Sequence, residues 1–116
     1  MENVFLYSAG VLGLAISVIH GYLGEMKVVR PVQASTEQAK RILHAIMFLS
    51  AVYWFIASLM LLMTPTLLPE AQRPVVAYGV AMVFLSGSLG NLWATKGTHF
   101  GWMLLAIAAA LAIAGA

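Results

Sequence analysis

Four runs of almost unbroken apolar residues, 4–23, 42–63, 75–93 and 100–116, leave this chain few folds to choose from. Each is close to the roughly 20 residues, at about 1.5 Å rise per residue, that an α-helix uses to cross ~30 Å of hydrocarbon. A barrel strand would alternate apolar and polar positions over about ten residues, whereas these runs are apolar on both faces. A helix satisfies its own backbone hydrogen bonds in lipid, so the runs predict an all-α membrane protein. Composition agrees, with 9% charged residues where a soluble domain carries about 25%.

The breaks between the runs set the expected boundaries at about 3–24, 36–63, 74–94 and 98–116, one transmembrane domain over residues 1–116. Gly24 is suited to the left-handed position that closes a helix, with Pro31 shortly after it. "STEQ" predicts an N-cap at Ser35 with Gln38 completing a capping box and Glu37 in the first turn. Pro65 and Pro69 are expected to end the second helix, and Pro74 to sit in the first turn of the third. "TKGTH" divides the third helix from the fourth. The leading "MEN" has no basic residue, and the first run exceeds a signal-peptide core of 7–15 residues, so it is expected to stay as a helix.

Basic residues in short loops stay on the cytoplasmic side. Lys27, Arg30, Lys40 and Arg41 lie between runs one and two, and Lys96 between three and four, against only Arg73 on the other side. The expectation is an antiparallel four-helix transmembrane bundle with both termini outside. A basic rim at an inner leaflet accounts for the net charge of +2 without nucleic acid as a partner.

Lipid gives helices no hydrophobic drive to associate, so close contact at small residues and hydrogen bonds must do so. Gly13, Ser17, His20 and Gly24 fall on one face of the first helix, and Gly87 and Gly90 on one face of the third. These are the expected packing surfaces. The last run, "LLAIAAALAIAGA", is small on every side and could face a sibling subunit.

Helical rise also gives depth. From the expected boundaries, His20 lies about 6 Å inside, His44 about 3 Å, His99 about 5 Å and Asn91 about 8 Å, all toward the cytoplasmic side. Ionisable residues within a bilayer are costly and tend to face protein or a wet cavity. Neutral imidazole is the commonest metal-ligating side chain. Met47 follows His44 and Met103 follows His99 on nearly the same helical faces. Imidazole with thioether is a soft set that suits copper better than magnesium or calcium. The expected site is therefore His20, His44 and His99 around a copper-like ion or a haem b, with Glu25, Met47, Met103 and Asn91 as further ligands. The plainer alternative is that each histidine hydrogen-bonds a loop carbonyl or a lipid headgroup.

The pattern "H…GE…P", a histidine early in the second helix, and "KGTHFGW" resemble small four-span integral membrane proteins of bacteria. The resemblance covers nearly the whole chain and implies the architecture and a bacterial inner membrane; it transfers no activity and no functional residue. Three functions follow as expectations: metal handling or electron transfer at the histidine site; an accessory or scaffold subunit, forming a homo-oligomer or joining a larger membrane complex; and a small proton or ion transporter. The last is weakened because no ionisable group lies at the centre of any run, where transporter sites commonly sit. No arrangement of acid, base and nucleophile defines an enzymatic reaction.

Overall fold

The computed structural model describes residues 1–116 and contains four α-helices and no strand: α1 Glu2–Leu23, α2 Glu37–Leu67, α3 Arg73–Thr95 and α4 Gly101–Ala114. A π-helical turn, Gly24–Val29, extends α1, and a 3₁₀ turn, Glu70–Gln72, leads into α3. Three helices are long and apolar enough to cross a membrane. α4 is apolar, but its 14 residues rise only about 21 Å.

Each helix packs on its neighbours in chain order, and α4 closes the ring against α1. Antiparallel pairing is visible along the α1–α2 seam: Gly10 meets Leu62, Gly13 meets Ser58, Gly21 meets Ala51, and Gly24 meets Met47. A Cβ at Gly13 would collide with Ser58 Oγ and lie 2.7 Å from Phe84 Cζ. The absence of side chains on α1 is thus what lets the helices approach. Ser17 is buried on the same helix, and Gly87 of α3 gives way to the Trp54 ring, whereas Gly90 faces open space. The core completes this pattern with alanines, among them Ala57, Ala77, Ala81, Ala108 and Ala112, around Leu6, Leu61, Phe84 and Leu105.

Four helix ends differ from the expectations, one of them the start of α4, which falls at Gly101 and not at 98. Gly24 does not close α1: its φ of −59° and ψ of −47° are right-handed, and the chain winds on to Val29. Its missing Cβ instead admits the Met47 methyl group. The N-cap of α2 is Thr36 in place of Ser35; Thr36 Oγ1 accepts from Ala39 N–H at 3.0 Å, so Gln38 completes no box. α2 also continues through Pro65 to Leu67. Leu68, held extended at ψ 139° by the following Pro69, ends it.

Pro69 has no N–H to give the carbonyl of Pro65, four residues back, and Arg73 takes its place. Its guanidinium donates to Pro65 O at 3.0 Å, Leu68 O at 3.1 Å and Asn3 Oδ1 at 3.0 Å, tying the end of α2 to the start of α1. A cation at a helix C-terminus also complements the helix dipole. Arg73→Ala should lower stability in detergent by about 1.5–3 kcal/mol, the range for hydrogen bonds to charged groups, with Arg73→Lys recovering only part. A thermal melt unchanged by Arg73→Ala would show that the clamp contributes nothing.

Candidate functional site

Antiparallel register puts His20 of α1 opposite Ser50 of α2, and His20 Nε2 lies 2.9 Å from Ser50 Oγ. The Ser50 hydroxyl has one proton, which it donates to Met47 O at 2.9 Å. His20 Nε2 must then be the donor in its own bond, so in the neutral ring the Nδ1 lone pair is free. Trp54, buried, holds the imidazole from one side at a centroid distance of 4.4 Å. Protein offers Nδ1 no partner, and it is not sealed from solvent, since Trp102 Nε1 is the one buried side-chain nitrogen or oxygen left unpaired.

His20 lines a cavity of about 350 Å³ between α1, α2, α3 and the start of α4. The same cavity is lined by His99, Met47, Asn91, Thr95 and Lys27. His99 precedes α4 and its ring is fixed locally: Nδ1 accepts Gly101 N–H at 3.1 Å, and the ring stacks on Phe100 at 5.4 Å. Neutral His99 therefore carries its proton on Nε2. Asn91 Nδ2 donates to Gly87 O at 2.9 Å, leaving its Oδ1 without a protein partner. The cavity is thus lined by two histidines, an asparagine, a methionine and a lysine, and the His20 and Asn91 side chains each keep one acceptor atom without a protein partner.

His44 belongs elsewhere. It is exposed, lines the groove on the opposite side of Met47, and sets Nδ1 2.9 Å from Glu25 Oε2. The π turn explains how Glu25 reaches it. Each N–H there bonds the carbonyl five residues back, as Arg30 N does to Glu25 O at 3.0 Å. Residues five apart become neighbours, and Arg30 Nε also approaches Glu25 Oε1 at 3.3 Å. These partners are largely exposed, so the pairs contribute little stability, about 0–1 kcal/mol each. Their consequence is positional.

Of the expected ligands, the structure brings His20, His99, Met47 and Asn91 to one cavity and puts His44 with Glu25 in another place. Met103 is exposed and lines neither space. No three of the His, Asp and Glu side chains gather as a metal-holding group. Sequence reasoning missed Ser50, which fixes the His20 tautomer. The seam gives its place: pairing Gly13 with Ser58 and Gly24 with Met47 puts Ser50 and Ala51 opposite His20 and Gly21. Compared with known proteins, the chain matches no family model, no curated protein and no solved structure.

Proposed function

We propose that the chain is a multi-pass protein of a bacterial inner membrane, with its termini outside, that binds a soft metal ion such as Cu(I) in the His20 cavity. Membrane insertion is supported by the outer faces. Only 23 of 116 residues are buried, and Val18, Phe48, Tyr53, Met82 and Leu89 are among the large apolar side chains left exposed. Such faces call for an apolar solvent. The orientation rests on Lys27, Arg30, Lys40, Arg41 and Lys96 at one end of the bundle, with Arg73 at the other. Lipid is the main partner. A second copy or a larger membrane complex would find room at Gly79 and Gly90, where a Cβ would meet no atom within 4 Å.

One observation carries the metal proposal: His20 has one ring nitrogen locked by Ser50 and the other without a protein partner, and it lines a cavity together with Met47 and His99. Metal-ligating histidines characteristically donate their second N–H to an oxygen that fixes the tautomer. Two imidazoles with a methionine sulfur favour a soft ion such as Cu(I) over calcium or magnesium. His99 is the weaker ligand, because binding through Nε2 would shift its proton to Nδ1, against Gly101 N–H. A volume of about 350 Å³ is near the floor of the roughly 300–1,000 Å³ range for small-ligand pockets, which favours an ion over haem b. The cavity favours one second class of ligand. A small polar molecule could accept from His99 Nε2–H and donate to His20 Nδ1, for handling or transport in place of metal storage or electron transfer.

Cu(I) titration of the purified protein, in competition with a chromophoric chelator, separates these. Wild type should hold one ion per chain. His20→Ala and Met47→Leu should abolish or strongly weaken binding, and Ser50→Ala should weaken it by about 10- to 100-fold, as removal of an orienting partner does. His44→Ala should leave it unchanged. Circular dichroism checks that each variant folds, and a Soret band after haem loading would select haem. Absence of Cu(I) binding by wild type, or equal loss in His44→Ala, would overturn the metal site. Orientation is tested by single cysteines in this cysteine-free chain. On intact bacterial cells, a membrane-impermeant thiol reagent should label Gln72→Cys and spare Ala34→Cys; the reverse would overturn the assigned direction.

A further inference from the structure

A second space lies on the outer side of the α1–α2 seam, away from the His20 cavity. It is an open groove of about 620 Å³. Its floor is shallow in side chain, with Gly21 against Ala51, and its walls are Val18, Tyr22, Phe48 and Phe55. One end of the groove is closed by Glu25 and His44, and these two also line a polar pocket of about 350 Å³ with Arg30, Lys40 and Arg41. The two spaces therefore meet at the Glu25–His44 pair, an apolar furrow ending in charge.

We propose that this combined site holds one anionic phospholipid, with an acyl chain along the furrow and the phosphate among Arg30, Lys40 and Arg41. The inference rests on the membrane placement given above and not on the metal site. Length supports it. From His44 to Phe55 the furrow follows eleven residues of α2, a rise of about 16 Å, or close to half of ~30 Å of hydrocarbon. A furrow of that depth matches one leaflet.

Charge supports it as well. Three permanent cations in the polar pocket face two carboxylates, Glu25 and Glu37, leaving an excess of one positive charge. Glu25 is already engaged by Arg30 Nε and His44 Nδ1, so it is partly neutralised. Arg30 uses only Nε in that contact, which leaves both terminal nitrogens for a phosphate. The π turn is what swings Glu25, and with it Arg30, to the head of the furrow. A zwitterionic lipid would fill the furrow equally well but would gain less from the excess charge.

Native mass spectrometry of the full chain in neutral detergent tests this, with phosphatidylglycerol or phosphatidylcholine added at matched concentration. Wild type should retain one phosphatidylglycerol in clear preference. The Lys40→Ala/Arg41→Ala double variant should bind it about 30-fold more weakly, given the contribution of each basic side chain near an anionic group. Ala51→Phe, which fills the floor, should lose both lipids, while Lys96→Ala, outside the site, should behave as wild type. Equal retention of the two lipids by wild type, or an unaffected double variant, would overturn the proposal. So would displacement by glycerol 3-phosphate at the lipid's own concentration, which would mean a bare phosphate site. If Ala51→Phe fails to fold by circular dichroism, headgroup preference and the double variant still decide. Alkaline extraction of the source membranes reports insertion separately. A chain that stays with the membrane yet shows no preference overturns the lipid site alone, and a chain that extracts overturns the membrane placement with it.

Discussion

Close approach of α1 to α2 is the constraint on which the remaining geometry depends. Along that seam α1 presents Gly10, Gly13, Gly21 and Gly24, and α2 fills the space above them with Leu62, Ser58, Ala51 and Met47. Dispersion contact and hydrogen bonds between the two helices both fall steeply with distance. A single Cβ on Gly13 would push against Ser58 and Phe84 together. The seam therefore fixes one register. His20 meets Ser50 and Glu25 meets His44 as consequences of that register, with no further device needed.

The same seam divides the polar chemistry of the chain in two. Met47 sits at the division and lines both the inner cavity and the outer groove. Inward, the Ser50 hydroxyl passes a constraint from the α2 backbone to a ring nitrogen of His20, and the other nitrogen is left open. Outward, the half-buried Glu25 carboxylate gathers the exposed His44 and Arg30, and its value is where it sets them, since such pairs stabilise little. One α-helix can serve both sides because Ser50 and His44 are six residues apart, about 120° around its axis.

Helix number, class and the small-residue face of α1 were legible in the sequence because they follow from long apolar runs and from the spacing of glycines; on α3 only Gly87 packs as expected, and Gly90 faces open space. The ends were less so. Gly24 carries the same signal whether it caps a helix or admits a neighbouring side chain, and only the approach of Met47 decides between them. Pro65 reads as a stop, yet α2 runs on to Leu67 and ends where Arg73, a distant residue, caps the carbonyls of Pro65 and Leu68. Depth of the histidines follows from helical rise, and His20 and His99 do line one cavity. Depth carries no information about direction around the bundle, which is why His44, expected at a similar level, lies outside that cavity. The π turn left no local sign beyond a glycine and a pair of residues of opposite charge five apart.

Cross-linking of the seam is the most direct measurement of the central claim, that this register positions both sites. A Cβ at Gly21 lies 3.3 Å from Ala51 Cβ, next to the roughly 3.5–4.5 Å that a disulfide spans, and the chain has no cysteine to interfere. Oxidation in native membranes should rapidly join Gly21→Cys to Ala51→Cys within one chain. Gly21→Cys with Phe55→Cys, one turn or about 6 Å further along α2, should stay reduced. Rapid cross-linking of the shifted pair with none at Ala51 would contradict the register, and with it the positions of His20 and Glu25.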